Sequence, residues 1–282
     1  MGLEFAYFYQ AFGAKVTVVE LEKQILPGFD AEVAEDLQRA FAKRGVQVLL
    51  QHGYKAMARH GDRWRVTLDS NGQSREVDAE AVLVAVGRRP NSDELGLEQV
   101  GVELERGGFV KADASFRTTC PSIYAIGDLL RPPLLAHKAS AEGVAAVEIM
   151  AGEREPGFDL LNIPGCIYCQ PEVATVGLSE AECSARGIEV KVGKFPFRAN
   201  GKSVAINQVE GFVKIVAGKK YGEVLGCQII GHGATDLISE IVLGKSMEAT
   251  TLEIGRAVHP HPTLSESIME AALAADGEAL NF

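Results

Sequence analysis

The opening twenty residues constrain the fold most. Gly2-Leu3-Glu4-Phe5-Ala6-Tyr7-Phe8-Tyr9 reads as helix, and Gly13-Ala14-Lys15 as a turn. Val16-Thr17-Val18-Val19-Glu20 is a β-branched run that ends in an acid. Helix, turn, strand and a carboxylate at the strand's carboxyl end make the second half of a βαβ unit. The dinucleotide fingerprint asks for Gly-x-Gly-x-x-Gly ahead of such a helix and an acid about 20 residues further on. Gly2 stands where the last of the three glycines would, and Glu20 where the ribose-binding acid would. Taken alone, an ordinary helix–strand unit satisfies the same pattern.

The pattern continues in kind. Val33, Leu37, Ala40 and Phe41 recur at helical spacing between Glu32 and Arg44. Gly45 ends that helix and Val46 to Leu50 follows as a strand. Arg63 to Leu68 and Ser74 to Val77 flank Asn71-Gly72, a hairpin signal. Ala81-Val82-Leu83-Val84-Ala85-Val86 is continuously apolar, which predicts a buried parallel strand. It runs into Gly87-Arg88-Arg89-Pro90-Asn91. A glycine at a strand's carboxyl end lets a ligand approach the backbone, and it also suits a plain turn. Ile123 to Ile126 predicts a short strand with Gly127-Asp128 at its end. Asp128 there can accept hydrogen bonds from sugar or ribitol hydroxyls, or simply begin a turn. Leu134-Leu135-Ala136-His137 leads into a helix. From Glu153 to Asn162 the chain crosses a polar linker, and the rest reads as an independent α+β unit. Ser179-Glu180-Ala181-Glu182 opens one of its helices with an acidic turn.

Composition excludes several functions. With 282 residues, 46% apolar and 30 of them glycine, two or three modest domains can each bury a core. The net charge of −10 argues against a nucleic-acid surface. No apolar run reaches bilayer length. The start of the chain is amphipathic and carries Glu4, unlike a signal peptide. Five scattered cysteines suit a reducing cytoplasm better than a disulfide framework. Cys166-Ile167-Tyr168-Cys169 has redox spacing, but Pro171 follows closely and no helix starts there. A zinc site would need further ligands, and no second pair exists. Two small apolar fillers on a strand account for the spacing better. No metal site is expected.

His259-Pro260-His261-Pro262-Thr263-Leu264-Ser265-Glu266 carries the chemistry. Two prolines fix φ and remove donors, so His261 sits on a stiff extended segment. Thr263 and Glu266 then read as the N-cap and N3 position of a capping box. Two roles for Glu266 remain open at this point. It orients His261 as a general base, or it only caps the helix.

This octapeptide, running on into Ser267-Ile268-Met269-Glu270-Ala271-Ala272-Leu273, resembles the carboxyl-terminal signature of dihydrolipoamide dehydrogenases, which are flavoprotein disulfide reductases. The resemblance covers essentially the whole chain, but only the later part of a family member. It places the start inside the glycine-rich turn. The preceding strand, the first two glycines, and the flavin-binding domain with its cysteine pair lie outside it. The resemblance implies α/β partial Rossmann-type nucleotide-binding domains followed by an α+β dimerisation domain. It divides them as 1–92 for NAD, 93–158 for the FAD-contacting segment, and 159–282 for dimerisation. It implies that His261 is the base and Glu266 its partner, serving the other subunit of a homodimer. It implies NAD contacts at Gly2, Glu20, Tyr54 and Gly87, and FAD contacts at Asp128, Leu134, Leu135, Ala136 and His137. Glu20 favours NAD over NADP, since a carboxylate repels a 2′-phosphate and only Lys23 lies near as a cation. The implied activity is FAD-dependent oxidation of dihydrolipoamide with NAD as acceptor. The implied partner is the lipoyl-bearing domain of a 2-oxoacid dehydrogenase complex. With no visible dithiol or flavin fingerprint, these residues are expected not to turn over alone. A non-catalytic dimerising remnant and half of a split enzyme are the alternatives.

Overall fold

The computed structural model describes residues 1–281. Its contacts separate the chain into two units, Met1–Ala85 with the described residues from Pro164 on, and Val86–Ile163.

In the first unit, helix α1 (Gly2–Ala11) leads to strand β1 (Thr17–Val19). Helix α2 (Ala31–Lys43) crosses over to β2 (Gln47–Leu49), which pairs with β1 in parallel register, Val18 opposite Val48. Asp30 caps α2 by accepting the Glu32 N–H at 3.0 Å. A three-stranded meander follows: β3 (Gly53–His60), β4 (Arg63–Ser70) and β5 (Gln73–Ala79). Asn71 and Gly72 both take positive φ, 52° and 81°, as the tight β4–β5 hairpin requires.

The predicted strand at Ala81–Val86 does not form. The segment joins no sheet, with Val84 73% and Val86 92% exposed. A buried parallel strand needs neighbours on both edges and helices over both faces. Among the described residues β1 pairs only with β2, and no strand lies beside the 81–86 run. Apolar character alone cannot make a strand without an edge to join.

From Gly165 onward the first unit continues as a five-stranded antiparallel sheet. Its strands are β6 (Gly165–Ile167), β7 (Glu172–Gly177), β8 (Val190–Pro196), β9 (Phe212–Gly218) and β10 (Val224–Gly231), in the order β6-β7-β10-β9-β8. The period of two along each strand divides its residues between two cores. Val213 and Ile215 of β9, with Cys227 and Ile229 of β10, join one core with Ile238, Ile241, Ile268 and Ala271. Phe212 and Ile230 face the other way and join Leu3, Val33, Leu37 and Phe41 in a second core.

The helices between and after these strands are α4 (Glu180–Ala185), α5 (Gly201–Ala205), α6 (Ala234–Ser246), α7 (Thr251–Arg256) and α8 (Glu266–Ala275). Ser179 and Glu182 form the capping box that starts α4. Helix α6 lies over β7 and β10, and α8 over β8 and β9. The approach of α8 depends on Gly193, where a Cβ would stand 1.9 Å from the Ala271 carbonyl oxygen. No helix among the described residues is long and apolar enough to cross a membrane.

The second unit is mostly irregular. It is built on helix α3 (Ala136–Ala151), with short 3-10 turns at Glu98–Val100, Gly127–Leu129 and Leu160–Asn162. Ile123–Ile126 was expected as a strand. Only Tyr124 makes a bridge there, to Arg117. The partner segment turns at Phe116, in the left-handed region at φ 63°, so pairing stops after one residue. Phe116 instead packs with Ala145 and Ala146 of α3.

Candidate functional site

The residues His259 to Thr263 form a strap between α7 and α8. The His261 Nδ1 lies 2.9 Å from Glu266 Oε1, and Glu266 Oε2 accepts the Thr263 N–H at 2.8 Å. The Thr263 hydroxyl donates to the Pro260 carbonyl at 2.7 Å, and the buried Asn200 amide donates to the Thr263 carbonyl at 2.9 Å. Leu264 packs against the main core. The strap is therefore anchored on both sides of His261.

Thr263 is not the N-cap. Helix α8 begins at Glu266 after Ser265, which makes no side-chain cap bond. The amides of Ser267 and Ile268 close tight bonds to Leu264 and Ser265 carbonyls, at 3.0 and 2.9 Å, so the first regular turn starts later than the box spacing implies. Half of the expected box survives, because Glu266 still holds the Thr263 amide. Its carboxylate thus does both jobs left open by the sequence, one with each oxygen. Burial alone would raise the Glu266 pKa, but the Thr263 N–H and the His261 ring outweigh it and hold the carboxyl below its ordinary value. With Nδ1–H directed at a carboxylate, Nε2 keeps the ring's lone pair. The ring is 77% exposed, so that nitrogen is reachable.

A second histidine lies two residues earlier, at His259. Its Nδ1 is 2.9 Å from the Ala257 carbonyl oxygen and its Nε2 is 2.9 Å from Glu240 Oε1, on α6. The sequence reading passed over this pair, because nothing local links positions 19 residues apart.

In the first unit, three of the expected nucleotide residues occupy separate elements. Gly2 is the first residue of α1, whose amino terminus has no side-chain cap. Glu20 follows β1, and its Oε1 accepts the Glu22 N–H at 3.0 Å. Tyr54 lies on β3 with its side chain exposed. A helix start without a side-chain cap and a half-buried carboxylate at the carboxyl end of β1 fit a nucleotide that carries phosphate and ribose.

In the second unit, Gly127 takes φ 69° and its N–H donates to Glu142 Oε2 at 2.7 Å. Glu142 pairs with Lys138 at 2.8 Å, both fully buried on α3. This pair pins the Gly-Asp turn to the helix and leaves the neighbouring Asp128 carboxylate outward. Asp128 Oδ2 is 2.9 Å from Arg88 Nη1, and Arg88 also donates to the Leu134 carbonyl. Leu135 is the α3 N-cap and makes no side-chain bond, while Ala136 and His137 start the first turn. A carboxylate beside an uncapped helix start fits a polyhydroxyl chain joined to an electron-rich ring. Gly87 takes φ 115°, with open space where a Cβ would project, so its conformation and not crowding demands glycine. The sequence alone gave no role to Arg88, Lys138 or Glu142. The i,i+4 spacing of Lys138 and Glu142 was the available signal.

Cys166 and Cys169 do not form a reactive dithiol. Cys166 sits on β6 and Cys169 is buried beyond it, with its thiol donating to the Pro171 carbonyl at 3.2 Å. Burial pushes Cys169 up to about 12 and raises Cys166 as well. Both thiols stay protonated at neutral pH, and a thiol is a poor nucleophile. Native protein at pH 7 should therefore leave both cysteines unmodified by a thiol-disulfide reagent until denaturant is added. Rapid native labelling of either, seen by peptide mapping, would contradict this.

Residues 1–143 match the family model described as pyridine nucleotide-disulphide oxidoreductase, and residues 163–272 match that family's dimerisation domain. The chain is 42% identical over 282 residues to a dihydrolipoyl dehydrogenase of Geobacillus stearothermophilus, covering 100% of this chain and 60% of the relative. A dihydrolipoyl dehydrogenase of Thermus scotoductus is also 42% identical, with 100% and 61% covered. The crystal structure of LpdA from Mycobacterium tuberculosis superposes with a TM-score of 0.87 at 31% identity, over 95% of this chain and 58% of that one. The chain thus spans about three-fifths of the length of the curated relatives it matches. A Rossmann-type portion followed by an α+β dimerisation domain, matched in sequence and superposed in structure, places the chain among the pyridine nucleotide-disulphide oxidoreductases.

Proposed function

We propose that these residues serve the FAD-dependent oxidation of dihydrolipoamide with NAD as acceptor. The observation that carries the reading is the His261–Glu266 pair, a base with a fixed tautomer on a rigid strap. His261 Nε2 accepts a proton from a dihydrolipoamide thiol, which makes the thiolate that attacks a disulfide. Glu266 stabilises the resulting imidazolium. In the completed reaction dihydrolipoamide loses two electrons and two protons, NAD gains a hydride, and one proton is released. FAD, when bound, relays the electron pair between the dithiol and the nicotinamide. Asp128 and the start of α3, with Leu134, Leu135, Ala136 and His137, would hold it. Gly2, Glu20, Tyr54 and Gly87 would hold NAD, with Glu20 accepting from the ribose hydroxyls. His261 acts on the site of a second copy in a homodimer, and the substrate arrives on a lipoyl-bearing domain in the cytoplasm.

A second reading is favoured by the cysteines. The protonated Cys166 and Cys169 cannot serve as the redox pair. These residues alone would then be a dimerising, non-catalytic remnant, or half of a split enzyme. One experiment separates the readings. The 282-residue chain is assayed for NAD reduction by dihydrolipoamide, alone and after co-expression with a polypeptide carrying the family's flavin fingerprint and cysteine pair. We expect no turnover alone, and a yellow, active complex after co-expression. Turnover by the chain alone, or a yellow complex that ignores dihydrolipoamide, would overturn the proposal.

A further inference from the structure

We infer that His259 is a positioning residue for His261, donating from both ring nitrogens to clamp the strap onto α6 through Glu240. The inference rests on the reading of His261 as the base. The geometry is specific. Both partners of the His259 ring, the Ala257 carbonyl at Nδ1 and the Glu240 carboxylate at Nε2, can only accept. A ring with one proton would turn a lone pair toward an oxygen 2.9 Å away. A ring with two protons satisfies both bonds, and each becomes charge-assisted. The His259 side chain is only 7% exposed, so little water is at hand to replace a lost bond.

The clamp matters because of what separates the rings. Only Pro260 lies between them, and its φ is locked. Fixing the His259 ring to α6 therefore constrains the peptide plane that carries His261. Glu266 on α8 holds the other end through the His261 ring itself. The base is thus strung between two helices that pack on one sheet, α6 over β7 and β10, α8 over β8 and β9. The two carboxylates facing the strap, Glu240 from α6 and Glu266 from α8, take one ring each. The neighbouring Val258 is 98% exposed and contributes no packing that could do the same job.

Histidine-selective nitrogen-15 labelling of the 282-residue chain tests this at neutral pH. In the wild type both His259 nitrogens should show the shift of protonated nitrogen, with slowly exchanging protons. His261 should show one protonated nitrogen, Nδ1, and one unprotonated. In Glu240→Gln the amide can donate, so His259 should revert to one protonated nitrogen while the strap stays in place. In His259→Gln and Glu240→Ala the clamp is lost. The His261 shifts should then move toward the average of two exchanging tautomers. A purely structural role would lower the melting temperature and leave the His261 shifts where they were. The inference is overturned if wild-type His259 carries one unprotonated nitrogen. It is also overturned if His261 is unmoved in folded His259→Gln. These spectra need no turnover. If His261 proved not to be the base, the clamp result would still stand or fall by itself.

Discussion

Replacing His261 with glutamine should lower dihydrolipoamide oxidation by the co-expressed, flavin-loaded complex by about 10²–10⁴-fold, the range for loss of a positioned general base. At about 1.4 kcal/mol per decade this is roughly 3–5.5 kcal/mol of transition-state stabilisation. Glutamine has a similar reach and can still hydrogen-bond to Glu266, but it cannot take a proton. The loss should fall on kcat, with the fold intact, because Glu266 keeps the Thr263 amide and Asn200 keeps the Thr263 carbonyl. Stopped-flow measurement of flavin reduction checks this directly. A variant within threefold or so of wild type would remove His261 from the reaction. The pair should also resist acid. The Glu266 carboxyl is held below its ordinary value of 4.5 by the Thr263 amide and His261. Its contribution is fully present above that value and is lost only as pH falls through the depressed one. Any loss of activity nearer neutrality therefore does not come from protonation of Glu266.

Removing the buried amine at Lys214 should destabilise the fold by about 3–5 kcal/mol, the cost of stranding a buried charge. Lys214 lies on β9, on the same face as Phe212, with its side chain 5% exposed. Its Nζ is 3.0 Å from Asp30 Oδ2, 2.9 Å from Glu32 Oε2 and 3.4 Å from Glu180 Oε2. Asp30 is itself 6% exposed and caps α2, so Lys214→Met leaves a carboxylate in a dry site and loosens the start of the helix. Urea unfolding followed by circular dichroism should show the midpoint falling with little change in slope. Adding Asp30→Asn should recover part of the loss, because the stranded charge is then gone and the cap remains. A change below about 1 kcal/mol in Lys214→Met would place this cluster with ordinary surface pairs.

Linkage sets the pH window of this cluster. Burial pulls the Lys214 pKa down, but bonds to Glu32 and Asp30 outweigh it and raise it above 10.5. That contribution is complete below 10.5 and is lost as pH rises through the raised value. Burial likewise pushes Glu32 up, and its two lysine partners, Lys214 and Lys194, bring it below 4.5. Its share is complete above 4.5 and is lost as pH falls through the lowered value. The cluster should therefore hold across the whole neutral range.

Much of the molecule was legible from its residues. The period of Val33, Leu37 and Phe41 set α2, Asn71-Gly72 set the β4–β5 hairpin, and Ser179 with Glu182 set the start of α4. Each is a signal between residues at most one or two turns apart, where backbone geometry alone brings them together. The proximity of His261 and Glu266 belongs to the same class, since a five-residue separation that includes Pro262 leaves the chain few routes. The failures are of a different kind. Ala81 to Val86 had the composition of a buried strand, yet a strand exists only if another strand meets its edge. Where α8 begins was decided by tight bonds to Leu264 and Ser265, and by Leu264 entering the core, and not by the capping spacing.

The residues of this chain by themselves determined α2, the β4–β5 hairpin, the start of α4 and a base with its carboxylate, because those follow from local dihedral preference and period. Only the tertiary structure decided which distant charges meet. Glu240 reaches His259, Arg88 reaches Asp128, and Lys214 reaches Asp30 across 184 positions. Such partners are selected by where packed helices and sheets leave a buried ionisable group, and desolvation there makes a partner obligatory without naming it in the sequence.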